Sequence, residues 1–364
     1  MGSTGAMAQS QDLVKWRASA NVQNNNNFFN TNTAPVSERL TSETLGVNLS
    51  IPYSLQRFEL DASVVASQYQ SNTNFDNTGT NYNGTWFWSF TPELHGTVTS
   101  SRAETLVAAN DSVDRTLRNK TTAQNNAIAA AYDLGGPWQV TAGVVNTSTI
   151  NERAVIGQSD NHATGANAGV RYVLGSGNSL AYFHQVSNGD SNTDYVLTTD
   201  DVAVVWVLSG NTTLNGHVAS VNQKFGATPQ FDFSGTSGAA NLVWRLTGKT
   251  SLTAGWQRDL VSYQTLGSTH TQTDYFTIAP VWQISPVTSV RAQYRTGTLD
   301  DKGNPYGTAS SRQDRLQDTS LSFSWQPYQK LSLSATIAQT SRSSTVANTD
   351  FTAQLLTLGA VFSF

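Results

Sequence analysis

Histidine, serine and carboxylate side chains are the groups through which this chain could do catalysis, and their spacing decides against it. In His184-Gln185-Val186-Ser187-Asn188-Gly189 a base and a hydroxyl nucleophile lie three residues apart. Side chains alternate between faces along a strand. An odd separation therefore sends Ser187 to the face opposite His184, where the base cannot take its proton without a bulge. The paired acids Asp200-Asp201 and Asp300-Asp301, and the run Asn188-Gly189-Asp190-Ser191-Asn192-Thr193-Asp194, have the composition of weak calcium loops. They lack the fixed glycine and terminal glutamate of a calcium hand and read as solvated loops. His95, His162, His217 and His270 are scattered and suggest no metal cluster. The expectation is a protein that is not an enzyme, with no catalytic residues, no metal and no cofactor.

The charged residues follow another rule, that of a lining. Opposite the apolar positions Val14/Trp16, Phe58/Leu60, Val170/Tyr172, Trp244/Leu246 and Val290/Ala292/Tyr294 fall Lys15, Arg17, Glu59, Asp61, Arg171, Arg245, Arg291, Gln293 and Arg295. Continuing the parity places Arg312, Asp314 and Asp318 with them, opposite Thr319, Leu321 and Phe323. One face of each segment suits lipid and the other suits water. An inner face carrying both signs, with Asn, Gln, Ser and Thr between, fits a hydrated neutral or weakly charged molecule, because hydroxyls exchange hydrogen bonds among many partners. The alternative is that these charges pair across the interior to satisfy one another, since an unpaired charge in a narrow pore is costly.

Composition agrees with such a two-faced wall. Of 364 residues only 13 % are charged, the formal net charge is −4 and there is no cysteine. That is few charges for an aqueous surface and too polar a chain for a bundle of membrane helices. No run approaches the roughly twenty apolar residues of a spanning helix. The near-neutral charge argues against a nucleic-acid partner, and the missing cysteines exclude a disulfide framework. Residues 1–8 read as a tag remnant standing where a signal peptide was removed, and residues 9–364 as one domain.

The elements that hold the lining in place are long alternating segments joined by connections of two sizes. Leu13 to Gln23 carries Val14, Trp16, Ala18, Ala20 and Val22 on one face. A polar tract, Asn24 to Ser37, follows, and Leu45, Val47, Leu49 and Ile51 alternate into a tight turn at Tyr53-Ser54-Leu55-Gln56. Further short turns fall at Thr91-Pro92-Glu93, Gly135-Gly136-Pro137, Gly175-Ser176-Gly177-Asn178, Ser209-Gly210-Asn211, Thr247-Gly248-Lys249, Ser285-Pro286-Val287 and Gln326-Pro327-Tyr328-Gln329, with long polar stretches such as Ser71–Thr80 and Val107–Asn119 between hairpins. Counting hairpin arms and end strands gives about eighteen antiparallel strands, short turns and both termini on one rim and long loops on the other. This predicts an all-β transmembrane barrel of the bacterial outer membrane, with periplasmic turns and extracellular loops. A propeller is the rival on repeat length, but its blades hold four short strands each. Here each period holds two strands of about ten residues or more, the length that crosses a bilayer when tilted. Trp138, Tyr172, Trp206, Trp244, Trp282 and Trp325 each sit near a short turn, as an interfacial girdle does. The last stretch, Leu355–Phe364, is the closing strand, pairing with Val14–Val22.

Three turns share one frame: Trp244-Arg245-Leu246-Thr247-Gly248-Lys249, Trp282-Gln283-Ile284-Ser285-Pro286-Val287 and Trp325-Gln326-Pro327-Tyr328-Gln329-Lys330, each followed by Ser-apolar-x-Ala. This frame resembles the EpsL-like outer-membrane β-barrel porins of bacterial exopolysaccharide operons, most clearly from about Gly165 to Phe364. The resemblance implies a channel that exports a secreted polysaccharide, set in outer-membrane lipid beside periplasmic export and chain-length-control proteins. It also implies that the terminal Phe364 is a handle for the barrel-assembly machinery. A general diffusion porin for small hydrophilic solutes is the alternative. A lipid-modifying barrel enzyme is the third reading, since the stretch at His184 is similar to the His-x-Ser-Asn signature of outer-membrane phospholipases and lipid A deacylases.

Overall fold

Strict two-residue alternation leaves each strand with one apolar and one polar face, and a sheet of such strands has to close on itself to lose its edges. The computed structural model describes residues 13–106, 117–153, 159–191, 193–265, 267–307 and 312–364. The expected tag remnant, residue 192 of the acidic run and most of the Val107–Asn119 stretch lie outside the described residues.

The strands are β1 (Val14–Asn25), β2 (Glu38–Tyr53), β3 (Gln56–Tyr69), β4 (Asn77–Ser89), β5 (Leu94–Leu106), β6 (Lys120–Asp133), β7 (Trp138–Asn151), β8 (Asn161–Val173) and β9 (Ser179–Ser191). They continue as β10 (Thr193–Ser209), β11 (Thr212–Phe225), β12 (Phe233–Arg245), β13 (Thr250–Thr265), β14 (Ser268–Ser285), β15 (Thr288–Lys302), β16 (Gln313–Tyr328), β17 (Leu331–Ser344) and β18 (Phe351–Ser363). Each pairs antiparallel with its neighbours in sequence, and β1 pairs with β18, so the 18-stranded sheet closes. The closing seam runs from Arg17 opposite Ser363 to Asn25 opposite Leu355. The Phe364 and Trp16 backbones exchange both hydrogen bonds, at 2.8 and 2.9 Å. The expected pairing of the last strand with the first is the one observed.

Local chemistry explains the short turns. Ser54 adopts φ 54° between paired Tyr53 and Gln56, and Gly135 and Gly136 adopt φ 83° and 66°, which a side chain would oppose. One turn moves from its expected place. β16 runs on through Pro327 to Tyr328 by a bulge after Trp325, so the reversal falls at Gln329-Lys330. A bulge absorbs the proline because that position leaves the ladder.

The opposite rim departs further from expectation. Asp200-Asp201 and Asp300-Asp301 are not loop residues: they lie in β10 and β15, and of the acidic run Asn188 to Ser191 lie in β9 and Thr193 and Asp194 in β10. The strands extend past the apolar run because ladder hydrogen bonds do not depend on side-chain polarity once neighbouring strands are in register. Two crossings at this rim are built alike. At Thr73–Phe75 and at Pro229–Phe231 a single 3-10 turn buries a Phe, and the next residue accepts a backbone N–H from the preceding strand end: Asp76 from Tyr69 and Asp232 from Phe225, both at 2.7 Å. Tyr195, Phe225, Phe231 and Phe233 form a buried apolar cluster there.

The wall has an apolar outside. Val14, Trp16, Phe58, Ile128, Val144, Val202, Val218, Ile278, Leu321, Ile337 and Leu358 are all exposed, and the register carries each onto one continuous exterior. Exposing this much apolar side chain around a whole circumference is unfavourable in water and favourable in hydrocarbon. Trp138, Trp206, Trp244, Trp282 and Trp325 are exposed near the short turns, and Trp138 meets Tyr172 edge-on at 4.7 Å. Trp86, stacked on Phe58 at 5.6 Å, extends this aromatic ring. Toward the other rim the exterior turns polar, where Ser100 donates to Asn126 at 2.7 Å and Asn146 to Thr164 at 2.9 Å.

Candidate functional site

Because exterior positions are apolar, the charged residues of alternate parity have only the interior to face. Arg17 on β1 reaches across β2 to Asp61 on β3 with two parallel hydrogen bonds of 2.7 Å. Gly46 makes the crossing possible. It lies opposite Arg17 in the ladder, and a Cβ there would come within 2.8 Å of the Arg17 Nε. Arg57 pairs with Glu59 at 3.0 Å and lies over the Phe87 ring at 4.2 Å. Arg295 pairs with Asp318 at 2.6 Å and covers the Tyr275 ring at 4.4 Å. Asp201 meets His217 at 2.6 Å, Asp133 accepts from Gln139 at 2.8 Å and Asp259 from Gln257 at 2.7 Å.

Cations are treated differently from anions. Each of these wall carboxylates has a donor, whereas Lys15, Arg245 and Arg291 have no carboxylate within ion-pair distance among the described residues, and Arg171 donates to the Ser179 hydroxyl at 3.1 Å. Lys15 stands second in β1, Arg245 ends β12, Arg291 is close to the start of β15 and Arg171 to the end of β8. All four therefore lie toward the short-turn rim, where uncompensated positive charge attracts anions. Gln293 shares the parity of Arg291 and Arg295 on β15.

Two expected lining residues sit elsewhere. Arg312 precedes β16 at the long-loop rim, and its guanidinium grips Asp314 at 2.6 Å. Asp314 itself is 0 % exposed, roofed by Arg312 and Arg342 and bonded by Ser344 at 2.5 Å, so it presents no surface to a passing molecule. Parity gave its direction, while its burial depends on its near neighbour Arg312 and on two residues remote in sequence, Arg342 and Ser344. On the β16–β17 wall the inner face is hydroxyl-rich: Ser320, Ser322, Ser324, Ser334 and Thr336, with Thr336 donating to Ser322 at 3.0 Å.

His184 and Ser187 fall on opposite faces as their spacing requires, Ser187 buried inside and His184 exposed outside. What spacing did not reveal is the His184 partner. Its Nδ1 lies 2.8 Å from Asp200 Oδ1, and the Tyr182 hydroxyl donates to the same oxygen at 2.7 Å. The signal was available only as matched outward parity on two strands whose register was not yet known.

The whole-chain shape has counterparts among solved structures. The outer-membrane protein OpdK of Pseudomonas aeruginosa aligns over 96 % of this chain and 99 % of its own, with 13 % identity and a TM-score of 0.57. OccAB4 of Acinetobacter baumannii aligns over 98 % and 99 %, with 13 % identity and a TM-score of 0.55. OccK2 (OpdF) of P. aeruginosa, solved in complex with glucuronate, aligns over 96 % and 98 %, with 12 % identity and a TM-score of 0.56. No protein-family model and no curated protein matches the chain. At these identities the likeness establishes the fold: a closed, antiparallel 18-stranded barrel of the kind built by outer-membrane porins.

Proposed function

We propose that this barrel lies in a bacterial outer membrane and is a passive diffusion channel for small hydrophilic solutes, favouring anionic over cationic ones. The observation that carries the reading is the imbalance of the lining, in which the wall carboxylates are neutralised or hydrogen-bonded while Lys15, Arg245 and Arg291 are left unpaired. The apolar exterior with its aromatic ring supports the location. One of the shape-related proteins binds glucuronate, and OpdK has been solved with vanillate; both ligands carry a carboxylate. The test is the reversal potential of single channels in a planar bilayer under a salt gradient. Anion preference is expected, shifting toward cations in Arg245→Ala/Arg291→Ala. Cation preference in the unaltered protein would overturn the reading.

A second reading, export of a secreted polysaccharide, is favoured by the hydroxyl-rich β16–β17 wall, since a neutral glycan exchanges hydrogen bonds along such a surface without being held. Barrel-assembly factors, together with periplasmic export and chain-length-control proteins, are the partners this reading calls for. Loss of glycan release in a deletion strain, with small-solute uptake unchanged, would favour export. Normal release with reduced uptake would remove it.

A further inference from the structure

The exterior wall of β8 to β11 carries a charged cluster where its surroundings are apolar. His184 on β9 and Asp200 on β10 are directly opposite in the ladder, and their side chains are 48 % and 45 % exposed. Along β9 the outward positions below His184 are Tyr182 and Leu180, and Val186 lies above. Along β10 Val202 and Val204 lie below Asp200, with Thr198 and then Val196 above. On β11 Ser220 stands opposite Asp200, so the cluster lies within the apolar belt toward its polar, long-loop edge, His184 standing roughly 10 Å up a tilted strand from Leu180. Elsewhere the exterior at comparable distance from the short turns carries Val144, Val218, Ile278, Leu321 and Ile337, and on β13–β14 a second outward pair, Arg258 and Asp274 at 2.7 Å.

A carboxylate facing lipid at such depth is unfavourable, and ionisable residues in this position usually face protein. The neighbouring outward residues are small. Ala168 stands opposite His184 on β8, and Gly216 lies beside Val204 on β11, so another wall can approach closely. We propose that this wall docks a second copy of the same chain. The wall is self-complementary. A two-fold axis along the membrane normal, passing between β9 and β10, returns each point to its own height on the other side. Each His184 then comes opposite the other copy's Asp200, and one imidazole–carboxylate pair becomes a ring of four groups. The inference rests on the membrane location proposed above.

The chain has no cysteine, so single-cysteine variants carry no background. Val186→Cys, beside the proposed axis, is compared with Ile278→Cys on the remote β14 wall, both in intact outer membranes treated with a mild oxidant. Val186→Cys is expected to give a covalent dimer and Ile278→Cys to remain monomeric. Adding His184→Leu/Asp200→Val to Val186→Cys should cut dimer yield about tenfold, while the heat-modifiable barrel on a gel shows that folding is intact. A monomeric Val186→Cys, a cross-link to a different protein, or equal dimerisation of both variants would overturn the proposal. Labelling of Ile278→Cys by a membrane-impermeant maleimide would instead remove the membrane location on which it rests.

Discussion

Asp200 and Asp201 are adjacent in the chain, each meets a histidine Nδ1, and the sheet separates them. Asp201 and His217, at 2.6 Å, face the interior among other polar groups. Asp200 and His184, at 2.8 Å, face outward among valine, leucine and tyrosine. The chemistry is the same and the medium differs. In a hydrated interior such a pair adjusts the local charge felt by a solute. Against hydrocarbon a lysine or arginine costs on the order of 2–4 kcal/mol near the midplane and a carboxylate less, still enough that the outer pair calls for a covering surface.

Reversing charge at each pair has the largest expected effect. His184→Asp, or Asp200→His alone, sets like groups against one another and is expected to abolish cross-linking through Val186→Cys. The double exchange should restore it, as the conservation of pairing demands. The same exchanges at His217 and Asp201 should leave assembly untouched. A loss of assembly from the inner exchanges would break the division between the two faces.

Glycine offers the next test. Gly46 on the inner face leaves passage for Arg17, and Gly46→Val should push the Arg17–Asp61 pair apart and lower stability by about 1–3 kcal/mol. On the outer face, a Cβ at Gly84 would find its nearest atom at 3.7 Å, an ordinary contact, so Gly84→Ala should be close to neutral. The midpoint of the heat-modifiable gel shift reads both.

A smaller change is expected in permeation from Asp201→Asn, which removes an inner negative charge and should move the reversal potential further toward anions, with dimer yield unchanged. Asp200→Asn should do the opposite, altering dimer yield and leaving the reversal potential in place.

The smallest effect belongs to the long-loop rim. Arg118 holds the Glu152 carboxyl below the usual carboxylate range, chiefly through the hydrogen bonds it donates. A depressed folded value means that the contribution is complete above the unfolded value and is lost as pH falls through the folded one. Acidification should therefore cost a surface pair's worth of stability, about 0–1 kcal/mol, and Glu152→Gln should remove that part of the acid dependence. Thermal midpoints across an acid pH series would show it.

Strand number was legible in the count of hairpins, and a period of two puts Lys15, Arg17, Glu59, Asp61, Arg171, Arg245, Arg291, Gln293 and Arg295 on the polar face of their strands without any knowledge of their neighbours. Asp200-Asp201 and Asp300-Asp301 were misread as loop for a related reason. Polar residues beyond an apolar run look like its end, yet the backbone ladder carries the strand onward.

Alternation by itself determined that the wall has an apolar and a polar side, because each strand reports its own faces. Only the tertiary structure decided that Arg17 meets Asp61 over Gly46, that Asp314 is sealed beneath Arg312 and Arg342, and that His184 finds Asp200. Those contacts depend on register, and each strand's register is set by the neighbours it pairs with around the closed barrel.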